Sequence, residues 1–388
     1  MKIIHTSDWH FGKVYSSGKD YEEDQRFFID RLCEWIQREG VEAVLCSGDI
    51  YDSARVKGEA IQLFSEAATR LCRDMKVTFI VIAGNHDSPF RLSSYSDLLK
   101  VSKLYITGRI ELDPEPILLD QGRVAVYSVP YFERSDVIRL FPERREEIKT
   151  AADGARIYFD HIRERMSADR RNIVLSHSHV TGSRLSESDR AARIGHASAI
   201  PMDVFEGFDY VALGHIHKAQ AIAPHIRYSG SPIPYSFGSE EEQENEKEKG
   251  KGKGKGVVLI DTDTMEQTFV PVTLRRKRKS LVGTFDEIMG QREYAEHYVS
   301  IKITDRYRSP AMMEELERTF KHIIECYGKS YAERTEDHGL SLKELEAMTD
   351  RDILRSFFRT YYGSYELTEE EIQIFCDALQ ENGEEEPA

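Results

Sequence analysis

The chain has 388 residues, 40% of them hydrophobic and 31% charged, and a formal net charge of -15. This exceeds the usual single domain and supplies enough apolar material for a real core, so a large domain followed by a smaller one is expected and a disordered chain is excluded. The acidic balance argues against a surface coated with nucleic acid while leaving room for a local basic groove, and no run of about 18 apolar residues is present.

The first element is a strand, KIIHTS, without a charged-then-apolar leader, and it ends at Asp8 and His10. A cytoplasmic protein is expected. Residues 21–39 carry Phe27, Phe28, Leu32, Trp35 and Ile36 at helical spacing; AVLCSG follows as a strand ending at Asp49. Residues 57–73 repeat the helical pattern with Ala60, Ile61, Phe64, Ala67, Ala68 and Leu71, before the strand TFIVIAG and its Asn85 and His86. Alternating strands and helices predict a parallel sheet with helices on its faces.

After residue 122 come the strands RVAVYSV, NIVLS (ending at His177), DYVALG (before His215 and His217), IRYSG, GVVLID and QTFVPV, with helices at 153–167 and near 203. Two packed mixed sheets flanked by helices accommodate this α/β count. The low-complexity stretch 239–256, SEEEQENEKEKGKGKGKG, reads as a disordered charged loop; its lysines suggest a DNA-binding arm, but its acidic half cancels their charge. These elements define a first domain over 1–273.

A basic run, Arg275 to Lys279, opens a small α/β unit over 274–335, with the strand HYVSIKITD and a helix capped by Ser309 with Pro310 at its first position. A helical tail, 336–388, holds two capping boxes, Ser341 with Glu344 and Thr368 with Glu371. Its apolar positions, Ile353, Leu354, Phe357, Phe358, Ile372, Phe375 and Leu379, suit either docking on a partner or folding back on the preceding unit. The five cysteines, Cys33, Cys46, Cys72, Cys326 and Cys376, lack metal-type spacing and read as reduced thiols.

Strands that release Asp, Asn and His at their carboxyl ends predict a site for two divalent cations. Asp49, after Ser47-Gly48, is the candidate carboxylate shared between them. In SHSHV both His177 and His179 compete for one position on the same strand face, and the strand-end location favours His177. Nitrogen and oxygen ligands without thiolate suit manganese, iron or zinc. Such a core would serve a phosphatase, a cyclic-nucleotide phosphodiesterase or a nuclease equally well.

The ordered motifs DWH, GDIYD, GNHD, a strand-end His and GHIH resemble the calcineurin-like metallophosphoesterase superfamily. That resemblance implies a two-sheet metallophosphoesterase sandwich, with Asp8, His10 and His217 on one metal, Asn85, His177 and His215 on the other, and Asp49 bridging. It also implies that His86 faces the scissile phosphate and protonates the leaving oxygen, oriented by Asp52. The segments GSRLSESDRAARIG, VFEGFDYVALGHIHKAQ and RYSGSPIPYSFGSEE resemble the SbcD family of DNA-repair nucleases. By that resemblance the chain is a two-Mn2+ enzyme (Mg2+, Fe2+ or Zn2+ being alternatives). It would act as a double-strand 3'-5' exonuclease and a single-strand or hairpin endonuclease. It would work as a homodimer within a heterotetramer, with its capping domain beside the DNA and its tail on an SbcC-like coiled-coil ATPase. Candidate phosphate contacts are Arg184, Arg190, Arg193, Arg275, Arg276 and Lys277.

Overall fold

The computed structural model describes residues 1–15, 18, 20–185, 199–235, 254–273, 275–328, 348–362 and 367–375. The first sheet contains β1 (Lys2–Thr6), β2 (Ala43–Cys46), β3 (Thr78–Ile82) and β4 (Leu104–Thr107), extended by β11 (Gly256–Asp261) and β12 (Gln267–Pro271) in the order β12-β11-β1-β2-β3-β4. The second contains β5 (Ile117–Leu119), β6 (Val124–Val129), β7 (Arg171–His177), β8 (Tyr210–Gly214), β9 (Gln220–Ala223) and β10 (Ile226–Tyr228), ordered β5-β6-β7-β8-β10-β9. Strands β1 to β4 are mutually parallel, as are β6, β7 and β8. Their carboxyl ends therefore release loops at one edge of each sheet.

Alternation along the strands builds the layers. Ile3, Leu45, Ile80 and Ile82 of the first sheet share a dry cluster with Val126, Ile173, Leu175 and Ala212 of the second, each completely buried. Ile4, Val44 and Phe79 turn the other way, toward α1 (Glu22–Glu39) and α2 (Gly58–Ala68). Val174 and Val211 likewise meet α5 (Arg134–Leu140) and α6 (Ala151–Arg163), the short helices α3 (Pro89–Leu92) and α4 (Ser96–Leu99) lying between β3 and β4. Complete burial of each such side chain stabilises by about 1.5–3 kcal/mol.

Helix α1 begins with Glu22, Glu23 and Asp24, which complement its positive end, and stops at Gly40, whose left-handed backbone (φ 68°) donates an N–H to Ile36. It buries Phe28, Leu32, Trp35 and Ile36 but leaves Phe27 only partly covered, and Ile61 of α2 is 52% exposed, off the buried stripe. The strands β4, β5 and β9 escape sequence reading because they are three or four residues long and partly polar or edge-located. The expected disordered stretch 239–256 does not hold at its far end. Residues 236–253 lie outside the described residues, but Lys255 is buried and Gly256 already belongs to β11.

Met1–Ser280, Glu293–Ser300 and Phe320–Glu325 form one compact unit; Leu281–Arg292, Ile301–Thr319 and Cys326–Ala388 form another. Strands at Arg278–Gly283, Tyr298–Ile303 and His322–Tyr327 make a third sheet. In the second unit Pro310 opens the helix Pro310–Thr319, with the Met312 N–H donated to Ser309 Oγ at 3.3 Å. Thr368 and Glu371 form the expected reciprocal cap, while Ser341, Glu344, Leu379 and Cys376 lie outside the described residues. Leu354 and Ile372 are buried, whereas Ile353 and Phe375 are largely exposed. Among the described residues Cys33, Cys46, Cys72 and Cys326 are free thiols, and no helix is long and apolar enough to cross a membrane.

Candidate metal centre

Five loops meet at the carboxyl edges, three from the first sheet and two from the second. The loop after β1 is zipped to that after β2: Asp8 N–H donates to Gly48 O (3.0 Å), His10 N–H to Asp49 O (3.0 Å) and Phe11 N–H to Ile50 O (2.8 Å). Ser47 Oγ donates across the sandwich to Ala212 O at 2.8 Å, tying the two sheets together beneath the site.

Close approach explains the glycines preceding the ligands. A Cβ on Gly84 would lie 2.1 Å from Asp49 Oδ1, and one on Gly214 would lie 1.8 Å from Ser47 O. Asp8, His10, Asp49 and His215 all have positive φ (55°, 44°, 51° and 98°), which costs non-glycine residues energy and concentrates at functional sites.

The side chains form two adjoining sets. His10 Nε2 lies 3.0 Å from His217 Nε2, and Asp8 joins them within ligand range. Asn85 Oδ1 lies 3.0 Å from His177 Nε2 and 2.9 Å from His215 Nδ1. Between the sets, Asp49 Oδ2 stands 3.6 Å from His10 Nε2 and 3.4 Å from His177 Nε2. His86 donates its N–H to Asp49 Oδ1 at 2.9 Å, and its ring also comes within ligand range of His10 and Asp49. His177 donates Nδ1–H to Ser47 O at 2.8 Å, which orients the ring and turns Nε2 to the cluster. His179 is only partly buried and stands farther out, its ring centroid 6.4 Å from that of His215.

Asp52 meets His86 differently from the expected side-chain dyad. His86 Nδ1–H donates to the main-chain carbonyl of Asp52 at 2.8 Å, while the Asp52 carboxylate takes Lys13 Nζ at 2.6 Å and faces His10 Nδ1 at 3.4 Å. The lysine three residues beyond His10 draws the carboxylate to the opposite side of the loop.

Three anchors carry no separate sequence signal. Asp87 is buried and accepts N–H groups from Ile50, Tyr51 and Gly84 at 2.8–3.1 Å, locking the second and third loops together. Tyr235 packs edge-on against His10 and His217 and donates its hydroxyl to Trp9 O. Lys255 donates to His217 O and Ser231 Oγ, both at 2.9 Å.

Burial pushes Asp8 up to about 6 and Asp87 up to about 7, with the Asp49 charge adding to both. Burial opposes the ionised form of Asp49 too, but His177 and His10 outweigh it and hold that carboxyl low. Burial drives His215 down to about 3, and His217 also falls well below its ordinary value. Burial opposes the charge on His177 as well, but the Asp49 carboxylate outweighs it and holds that imidazole up at about 9, so His215 and His217 are neutral while His177 and Asp49 form an ion pair that a cation would replace. His215 turns Nδ1 to the second set, 2.9 Å from Asn85 Oδ1 and 3.3 Å from His177 Nε2. These residues fit divalent metal. With no thiolate among the donors, the arrangement suits borderline or hard ions.

Of the expected DNA contacts, Arg184 is exposed and its backbone is clasped by Gln220. Arg190 and Arg193 lie outside the described residues. Arg275 and Arg276 both pair with Glu23, and the Arg276 guanidinium lies 5.5 Å from the Tyr298 ring centroid. Lys277 is exposed.

A two-sheet α/β sandwich carrying such a cluster at its strand ends defines a metallophosphoesterase. Residues 1–219 match the calcineurin-like phosphoesterase family, and residues 270–362 match the type 5 capsule protein repressor C-terminal domain, SbcD_C. The chain is 28% identical over 365 residues to the D subunit of the SbcCD nuclease of Staphylococcus epidermidis, covering 92% of this chain and 93% of that protein. It thus belongs to the calcineurin-like phosphoesterase family, in its SbcD branch. Similar solved structures include an archaeal phosphodiesterase (14% identity, 70% of this chain and 100% of that chain, TM-score 0.31) and a dimetal phosphatase from Danio rerio (11%, 59% and 86%, 0.36).

Proposed function

We propose that the protein is a DNA nuclease that hydrolyses phosphodiester bonds with two divalent cations, manganese first among them. The observation that carries this reading is Asp49 Oδ2, poised 3.4–3.6 Å from a histidine of each neighbouring set, as a shared carboxylate would be. Asp8, His10 and His217 would hold one ion, and Asn85, His177 and His215 the other. When bound, such a pair supplies Lewis acidity at phosphorus and a nucleophile available at neutral pH.

The remaining chemistry falls to the chain itself. His86, its Nδ1–H committed to the Asp52 carbonyl, would in its doubly protonated form pass the Nε2 proton to the departing sugar oxygen and be left as neutral imidazole. Asp52 thus serves as its orienting residue through the main chain. Asp87 keeps the second and third loops in register, so the site needs little reorganisation during reaction.

Membership in the SbcD branch and the name of the staphylococcal relative support DNA as substrate, and with it a role in repair, recombination and replication. We further propose, beyond what that name prints, double-strand 3'-5' exonuclease and single-strand or hairpin endonuclease activities, cytoplasmic location, and assembly as a homodimer with an SbcC-like coiled-coil ATPase. In this reading residues 1–273 are the nuclease domain, 274–335 the cap beside DNA, and 336–388 the ATPase-binding tail. Arg184, Arg190, Arg193, Arg275, Arg276 and Lys277 serve as phosphate contacts.

The test compares manganese-dependent cleavage of linear duplex DNA with hydrolysis of nitrophenyl phosphate monoester. DNA cleavage that vanishes in His86→Ala while manganese and DNA binding persist is expected. Monoester hydrolysis alone would make the protein a phosphatase; DNA binding without any hydrolysis would make it a scaffold.

A further inference from the structure

Next to Asn85 an open cavity of about 330 Å3 is walled by Phe90, Arg109, Tyr131 and Phe132. Its size falls within the roughly 300–1,000 Å3 of small-molecule sites. Phe90 follows the GNHDSP run directly and is 70% exposed, although its backbone is firmly held. Ser94 Oγ donates to Phe90 O at 2.9 Å, Ser93 Oγ donates to Pro89 O at 2.8 Å, and a Cβ on Gly108 would come within 2.3 Å of Pro89 O. That tight approach brings the neighbouring Arg109 across the ring, guanidinium carbon 4.9 Å from its centroid. On the other wall, Tyr131 N–H donates to Ala83 O at 2.9 Å, and its ring stands edge-on to the metal-site His177 at 6.4 Å. Both walls are therefore fastened to loops of the metal centre.

We propose that this cavity receives the unpaired base of the nucleotide flanking the scissile phosphate, stacked against the Phe90–Arg109 pair. The inference rests on the nuclease reading and specifies how a strand is gripped there. Its chemistry favours a flat neutral ring over a phosphate. Asp87, Glu133 and Asp136 line the same cavity, and Asp136 already offsets Arg109 at 3.5 Å. Arginine–aromatic pairs offer bases a stacking platform without reading sequence. A base inside a duplex is not available to it, so single strands, hairpin loops and frayed ends are the preferred substrates, because their bases are already unstacked.

The test uses the full chain and single-stranded oligonucleotides with one 2-aminopurine at successive positions, bound in calcium to suppress turnover. At one position fluorescence falls on binding, and Phe90→Ala abolishes that quench while Phe90→Trp restores it. In manganese, Phe90→Ala and Arg109→Ala raise KM for single-stranded DNA about tenfold, in line with one lost stacking contact. With an abasic residue at the quenched position, wild type and variants share one KM. Equal quenching and KM for Phe90→Ala and wild type on base-bearing DNA would overturn the inference, as would an equal loss on abasic DNA. If wild type binds and quenches but cuts no DNA, it is the nuclease reading that fails.

Discussion

The floor and the rim of the site are built on opposite principles. On the floor each residue is buried and braced from several sides: Asp87 by three N–H donors, His177 by Ser47 O, His10 and His217 by Tyr235. On the proposed substrate-contacting rim, Phe90, Arg184 and Lys277 reach solvent, and Arg275 and Arg276 lean on a single glutamate. The contrast separates chemistry from substrate choice, since pre-organisation serves bond breaking while exposed groups can vary with the substrate.

Substitutions on the floor should have the largest effects. Asp49→Ala removes the oxygen shared by both sets and should lower phosphodiester hydrolysis by roughly four orders of magnitude or more, measured as initial rates in manganese. Retention of even a tenth of the activity would remove Asp49 from its role.

Beneath the floor, His5 is buried between the sheets, taking the Tyr210 hydroxyl proton on Nδ1 (2.9 Å) and donating Nε2–H to Leu213 O (3.2 Å). Burial lowers its pKa from 6.5 to about 3. Between those values the unfolded chain binds the proton and the folded one does not, so stability falls as pH drops below 6.5 and levels off near 3. The loss is about 2 kcal/mol by pH 5. Urea unfolding should show His5→Phe with a flatter dependence over this window than wild type; an unchanged slope would refute the assignment.

Gly214→Ala drives a Cβ into the Ser47 carbonyl and should cost about 3 kcal/mol, read as a melting temperature several degrees lower. Tyr235→Ala removes the ring braced against His10 and His217 and should weaken manganese binding at that set about tenfold by calorimetry, with the other set unaffected. The smallest effect is expected on the rim. Glu23→Gln frees Arg275 and Arg276, so DNA affinity should rise and its salt dependence steepen by up to about two counter-ions; a decrease would mean these arginines do not face DNA.

The floor was largely legible in the sequence because each group of candidate ligands begins just after an apolar strand, at a serine or glycine, and parallel pairing then brings those ends together. What stayed hidden depended on distant partners. Tyr235 and Lys255 reach His10 and His217 from the far end of the sandwich domain, and Asp87 looked like one more acid beside a ligand. Within the basic run the side chains alternate in direction. Arg276 and Arg278 turn toward Tyr298 and Tyr15, with guanidinium carbons 5.5 and 5.9 Å from those rings, while Arg275 and Lys277 face out. Charge alone carries no such alternation. Asp52 showed the same limit, since its main chain and side chain serve different histidines.

The most direct test is anomalous diffraction from crystals grown with manganese. Two peaks are expected, one among Asp8, His10 and His217 and the other among Asn85, His177 and His215, with Asp49 between them. A single peak, or two with Asp49 turned away from both, would contradict the account.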